Sequence, residues 1–326
     1  MGVMSVSSRL KWPMIAAGLF GLFFMVAGIL WVLQRGDELA IVRGHRGVVR
    51  SVAFAKDGDR FASGGDDGVV CLWDAATNSL VTECRGHRGR VHMVAFSPVE
   101  SLLVSAGDDG TVRLWDAQTG AERGSMAVST KGLECLAFAP DGSVIAAAGI
   151  DRIIHLWSLK SAKSVRDLRG HAKHVHGLAF AADQRILVSA GEVDGLKVWD
   201  WNTGAAVTQA DVGRGHIREL RTSPDGQRLG IAISGAGVRM WSLIDRKDLG
   251  PIPGTGMAWS VDFSPDGRYL ATAHEDGTVK LVTPTGETIK RFRGHRGTAT
   301  SVAFAPDGKS FLSAGADGTI RRWPVP

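Results

Sequence analysis

Cysteine, tyrosine and an excess of either charge are what this 326-residue sequence has least of. Its three cysteines, Cys71, Cys84 and Cys135, fall in no CxxC or ligand-like spacing. Three cannot pair without leaving one over, so a disulfide framework is excluded. The sequence holds no G-x-S-x-G, no P-loop, no H-E-x-x-H and no dinucleotide fingerprint. The local signatures of a nucleophile elbow, a phosphate cradle and a zinc hydrolase are therefore missing. No catalytic residue and no cofactor are expected. With 38 Lys and Arg against 33 Asp and Glu, the net charge is +5. That balance suits an acidic partner, although so small a charge also fits an ordinary solvated surface. A single tyrosine, beside tryptophans mostly taken up by the repeat described below, leaves few rings for stacking bases, which argues against nucleic acid.

Long apolar runs are scarce too, with one exception. Residues 13–33 read PMIAAGLFGLFFMVAGILWVL and carry no charge. At ~1.5 Å of helical rise per residue such a run crosses the ~30 Å hydrocarbon core. Trp12 and Trp31 stand near its ends, where indole rings favour the headgroup layer. The run is longer than the apolar region of a signal peptide, and no A-x-A site follows it. Val6 stands where a myristoylation signal wants Ser or Thr. The expectation is a single-pass anchor at 13–33, after a polar tail at 1–12 and before a linker at 34–37. Arg9 and Lys11 before the run, against Arg35 after it, tilt the rest of the chain to the extracytoplasmic side. Ala17 and Gly21 form a small-xxx-small pair of the kind that supports helix dimers. The oligomeric state stays open.

Beyond the linker the sequence repeats. Trp73, Trp115, Trp157, Trp199 and Trp241 recur every 42 residues. The next two slots, at spacings of 41, hold Val282 and Trp323. Gly-His pairs at 44–45, 86–87, 170–171 and 294–295 keep the same beat. Apolar runs ending in Phe lead into turns such as Pro140-Asp141-Gly142 and Pro306-Asp307-Gly308. Each unit holds about four short runs rich in Val, Leu and Phe, bounded by Gly and Asp, which reads as a four-stranded antiparallel sheet.

The pattern GH…VAFSPDG…LVSAGDDGTVRLWD resembles that of the WD-repeat family, and it covers residues 38–326 seven times. The resemblance implies an all-β, seven-bladed β-propeller around a central channel, working mainly as a platform for other proteins. The seventh unit has only three strands before Pro326, while residues 38–43 correspond to the outer strand of other units. They are expected to complete the last blade and remove an exposed edge. A linker of four residues spans at most about 14 Å. The propeller is therefore expected near the bilayer, with its Gly-His face pointing away.

In this family a histidine, a Ser or Thr, an Asp and the Trp of each unit form a hydrogen-bonded set. Matched position by position, it reads His45, Ser63, Asp67 and Trp73 in blade one and His87, Ser105, Asp109 and Trp115 in blade two. Blade seven offers His295, Ser313, Asp317 and Trp323. These imitate a Ser–His–Asp triad, but a geometry repeated in several blades, with the hydroxyl serving Trp, is scaffold. Blade four keeps His171, Ser189 and Trp199, with Asp194 one residue nearer its Trp. Blade three has Ser129 and Ala147 in the His and Ser slots, blade five has Gly213, Ile231 and Gly235, and blade six has Gly254 and Val282. His216 is out of register and expected on the surface. Blades five and six are expected to be the weaker sector.

The Gly-His face is expected to bind. Arg46, Arg88 and Arg296 follow their histidines, and Arg214 takes the same slot in blade five. Five residues after each His slot stand Arg50, His92, Glu134, His176, Arg218, Trp259 and Thr300, a position that in the family lines the channel mouth. Arg and Trp are favoured anchors, and a protein partner with an acidic or phosphorylated segment is the occupant expected. A small-molecule sensor or enzyme using the channel is the alternative. His92 and His176 lie two blades apart with no carboxylate cluster joining them, so no metal site is expected.

Overall fold

The structure is a computed structural model that describes residues 37–183, 185–213 and 215–326. The tail, the apolar stretch at 13–33 and residues 34–36 of the linker lie outside the described residues, as does Arg214. Residues 38–326 form one compact unit, and no helix occurs among the described residues.

The chain enters through β1 (Ala40–Arg43) and then builds seven four-stranded antiparallel sheets. Blade one is β2 (Val49–Phe54), β3 (Arg60–Gly65), β4 (Val69–Asp74) and β5 (Leu80–Arg85). Blade two is β6 (Val91–Phe96), β7 (Leu102–Gly107), β8 (Thr111–Asp116) and β9 (Glu122–Ala127). Blade three is β10 (Leu133–Phe138), β11 (Val144–Gly149), β12 (Ile153–Ser158) and β13 (Lys163–Arg169). Blade four is β14 (Val175–Phe180), β15 (Ile186–Gly191), β16 (Gly195–Asp200) and β17 (Ala205–Ala210). Blade five is β18 (His216–Thr222), β19 (Arg228–Ser234), β20 (Gly237–Ser242) and β21 (Lys247–Pro251). Blade six is β22 (Ala258–Phe263), β23 (Leu270–His274), β24 (Thr278–Val282) and β25 (Thr288–Arg293). Blade seven takes β26 (Ala299–Phe304), β27 (Ser310–Gly315) and β28 (Thr319–Pro324), with β1 as its outer strand.

The turns follow from their residues. In the Pro-Asp-Gly type, the Asp141 carboxylate accepts the Ser143 N–H and Gly142 sits at φ 70°, where a side chain would be strained. In blades one, two and four the Asp that follows the Trp closes the next turn: Asp74, Asp116 and Asp200 accept the N–H of Thr77, Thr119 and Thr203. These are Asx turns, in which a short carboxylate replaces a backbone partner.

The seven first strands surround the axis, each against the next, and the blades bury both faces on their neighbours. The second and third strands carry the core. Phe61, Leu72, Leu103, Ile145, Ile154 and Phe311 are all fully buried. Side chains also stitch blade to blade. The Ser51, Ser260 and Ser301 hydroxyls accept the N–H of Val94, Val302 and Val52 in the following blade.

The last blade closes in register, with Ala40 opposite Arg322, Ile41 opposite Arg321 and Val42 opposite Ile320. Arg321 Nη1 donates to Glu38 Oε2 at 2.6 Å. Val42 is 4% exposed, in the apolar cluster that joins blades seven and one, whereas Ile41, on the other face of β1, is 41% exposed. A carboxylate at position 42 would be buried without a partner. Val42→Asp is expected to lower stability by about 3 kcal/mol or more, read as a shift in the urea midpoint. Ile41→Asp is expected to cost less than about 1 kcal/mol. Equal shifts would mean that β1 is not a structural clasp.

Candidate functional site

The repeated polar set is built from four elements of each blade. In blade one, Trp73 Nε1 donates to Ser63 Oγ at 2.9 Å, and Ser63 Oγ lies 2.7 Å from His45 Nε2. His45 Nδ1 reaches Asp67 at 3.0 Å, and Asp67 also accepts the Arg46 and Val69 N–H groups. Blade two repeats this through Trp115, Ser105, His87 and Asp109 at 2.9, 2.7 and 3.0 Å. Blade seven does so through Trp323, Ser313, His295 and Asp317 at 2.8, 2.7 and 3.1 Å. Protons therefore run in one direction, from Trp to Ser to His to Asp.

Burial lowers the His87 and His171 pKa values, with their Asp partners opposing, so both rings are neutral acceptors at neutral pH. Burial pushes the Asp109 carboxyl up, but the Arg88 N–H, Thr111 and His87 outweigh it and bring it to about 2. The four serines are 0% exposed. A hydroxyl sealed from solvent and already accepting from Trp has nothing to attack, so the set holds the blade and does no acyl chemistry.

One member of each complete set escaped the sequence reading. A side chain at Gly65 would meet His45 Nδ1 at 2.8 Å. At Gly191 it would meet Asp194 Oδ1 at 2.1 Å, and at Gly315 His295 Nδ1 at 2.2 Å. The glycine two residues after each serine makes the room that the ring fills. Blade four completes its set in spite of the altered spacing. Asp194 Oδ2 reaches His171 at 3.0 Å, and Ser189 bridges His171 and Trp199 at 2.6 and 2.8 Å. The displaced Asp194 leaves its Oδ1 buried without a hydrogen bond.

The remaining blades are refilled, each in its own way. In blade three, His155 sits between Asp151 and Asp167 at 2.8 Å each, and Ser129 bonds Asp151 at 2.5 Å. With Ala147 in the serine slot, Trp157 Nε1 is buried without a partner. In blade five, Ile231 and Ile233 fill the space and Trp241 Nε1 is unpaired. In blade six, the Thr272 hydroxyl lies 2.8 Å from His274 Nε2, and Lys280 Nζ donates to the Gly254 carbonyl at 2.7 Å. The slots expected to weaken blades five and six are therefore occupied.

The mouth of the channel is one pocket lined by Arg50, His92, Glu134, His176, Arg218, Trp259 and Thr300, one residue from each blade. Its cations are less free than the sequence suggests. Arg50 pairs with Asp66, and His92 Nε2 lies 2.7 Å from Asp108 Oδ1. His176 Nδ1 lies 3.0 Å from Glu134 Oε2, with His174 Nδ1 3.9 Å from Glu134 Oε1. A carboxylate therefore does meet each of the two histidines, and His174 was not foreseen. The Arg218 guanidinium lies 4.3 Å from the Trp259 ring centre. Outside the mouth, Arg46, Arg88 and Arg296 are exposed. Their backbone N–H groups go to Asp67, Asp109 and Asp317, and no ion pair engages their guanidinium groups among the described residues. His216 is exposed, 3.8 Å from Glu192.

Two family models match this chain. The one described as IFT122 first beta-propeller matches residues 28–283, and the one described as WD domain, G-beta repeat matches residues 286–324. The chain belongs to the WD-repeat β-propellers. Members of this family serve generally as protein-interaction scaffolds and not as enzymes, in keeping with serines that are sealed off.

The buried histidine of blade six gives this WD-repeat propeller an acid sensitivity. Burial, then Lys280, lowers the His274 pKa to about 4. A depressed histidine contributes stability that is present above its ordinary value and is lost as pH falls through about 4. The full shift corresponds to about 3 kcal/mol. His274→Gln is expected to flatten the fall in the urea midpoint between pH 7 and pH 4. An unchanged slope would show that His274 does not titrate in the folded protein.

Proposed function

We propose that the protein is a membrane-tethered adaptor whose Gly-His face takes up an acidic or phosphorylated segment of a protein partner. One observation carries this reading. Arg46, Arg88 and Arg296 lie on the adjoining blades one, two and seven, exposed and free of ion pairs, while Asp67, Asp109 and Asp317 beside them are committed to buried histidines. The arc is therefore basic in effect as well as in composition. Guanidinium groups hold carboxylates and phosphates through paired hydrogen bonds, and an unmatched arc of them draws in an opposite charge. Across the mouth, Arg218 on Trp259 adds the residue types favoured as interface anchors. The apolar stretch at 13–33 supplies the tether, on the length and flank argument given above, and its flanking charges favour an extracytoplasmic propeller.

The arc is tested with the full chain in detergent and two labelled peptides, one rich in glutamate and one carrying phosphoserine. Combined Arg46→Glu, Arg88→Glu and Arg296→Glu is expected to weaken binding at least about tenfold, since three rim pairs at about 0.5 kcal/mol each suffice. Arg268→Glu, on the Pro-Asp-Gly face, is expected to leave it unchanged. Equal binding by the triple variant, or a wild type that retains only an oligonucleotide, would overturn the reading. For the tether, alkaline carbonate is expected to leave the full chain in the membrane pellet and to release a chain lacking residues 1–33. Release of the full chain would remove the tether.

A further inference from the structure

Among the described residues, the mouth holds one combination of side chains that partner binding does not call for. His174 immediately precedes β14 and His176 lies at the bulge between Val175 and Gly177, with the two ring centres 6.1 Å apart. Glu134 stands on β10, the adjoining inner strand of blade three. The three offer two imidazole nitrogens and a carboxylate oxygen, all within 4.8 Å of one another. We infer that Glu134, His174 and His176 form a binding site for one divalent transition-metal ion of the zinc class at the rim of the channel.

The donor set is the first support. Two histidines and a glutamate, with a fourth position left to water or another ligand, make a recurrent zinc site. Distances are the second. Metal–ligand bonds of ~2.0–2.1 Å in tetrahedral geometry place donor atoms about 3.4 Å apart. Glu134 to His176 is 3.0 Å and Glu134 to His174 is 3.9 Å, so the site is close to assembled. The third support is an orphan. Glu134 Oε2 is buried and makes no aligned hydrogen bond, although His176 Nδ1 lies 3.0 Å away. A bound cation gives the oxygen the partner it lacks.

The surrounding charges set the conditions. Burial pushes the Glu134 carboxyl up, but His176, His174 and His92 outweigh it and hold it below its ordinary value, so the ligand oxygen is ionised at neutral pH. Arg218 faces Glu134 and opposes a second cation there, while its guanidinium is stacked on Trp259. Arg50 is neutralised by Asp66, and His92 is matched by Asp108. Binding uses the imidazole lone pairs, so protons and the metal ion compete for the same nitrogens.

The test uses tag-free full-length protein in detergent, titrated with Zn2+ by calorimetry and with Co2+ by visible absorption at pH 7.5. One ion per chain is expected, and the Co2+ complex should show the intense d–d bands of low coordination number. Glu134→Gln and His176→Ala are each expected to weaken binding at least about tenfold, while His216→Ala leaves it unchanged. Circular dichroism melts matched to wild type will show that the variants are folded. Absence of a stoichiometric ion in the wild type, or retention of its affinity in both variants, would overturn the assignment.

Discussion

The pairing of β1 with β28 is the contact on which the remaining structure depends, because a ring of sheets is only as stable as its last joint. Without β1, β28 would end in unpaired backbone groups and blade seven would be one strand short. The joint has three layers. Backbone hydrogen bonds run from residue 39 to residue 43, Arg321 meets Glu38, and Val42 enters the core shared with blade one. Arg322 then crosses from β28 into blade one, where it donates to the Ala75 carbonyl and to Asn78. Ser301 and Ser51 continue the linkage along the inner strands. Each contact spans the two ends of the sequence or leads on from such a contact, so closure makes every other interface cooperative with this one.

In blades one, two, four and seven, the demand of one indole N–H explains most of the polar pattern. The buried Trp Nε1 needs an acceptor, and Ser supplies it without adding bulk. Histidine then relieves the hydroxyl, and Asp relieves the histidine. The chain of obligations ends at the surface, where water can finish it. Blades five and six show the same space filled the other way. Where the histidine slot is Gly213 or Gly254, the glycine slot holds Ile233 or His274. In blade six ring and glycine have exchanged sides, and in blade five an isoleucine stands in for the ring, which keeps a close-packed layer filled. In this layer blade five replaces polar groups by apolar ones and leaves Trp241 Nε1 unpaired, a substitution that can be close to neutral.

How much of this is legible in the sequence depends on whether a contact stays within one repeat. Strand order, the turns and the Trp–Ser–His–Asp sets recur at fixed spacing, and position alone locates them. The seven residues of the mouth are legible for the same reason, as equivalent slots converge on one axis. The exchange of Gly213 with Ile233 is less so, because the glycine two residues after the serine belongs to none of the four polar slots. Pairing between blades is another matter. Glu134 and His176 come from different repeats, and their 3.0 Å approach is set by the diameter of the ring. His174 belongs to no family slot. The effective charge of the Gly-His face likewise depends on which carboxylates are already taken, as Asp66 is by Arg50, and composition does not record that.

Ionisable groups gather between blades five and six. Where other inner strands carry Ser51 and Ala53, or Ser301 and Ala303, these carry Glu219, Arg221 and Asp262. Arg221 bonds Glu219 at 2.8 Å, and Asp262 accepts the Phe304 N–H at 2.7 Å. Burial raises the Asp262 pKa to about 6, with Arg221 opposing. An elevated carboxyl contributes stability that is full below its ordinary value of 3.8 and is lost as pH rises through about 6. His274, depressed to about 4, has the opposite sign over nearly the same window. Acidification therefore strengthens one side of blade six as it weakens the other. Two departures of opposite sense thus lie in the same sector, so removing either group is expected to uncover the titration of the other in the urea midpoint between pH 7 and pH 4.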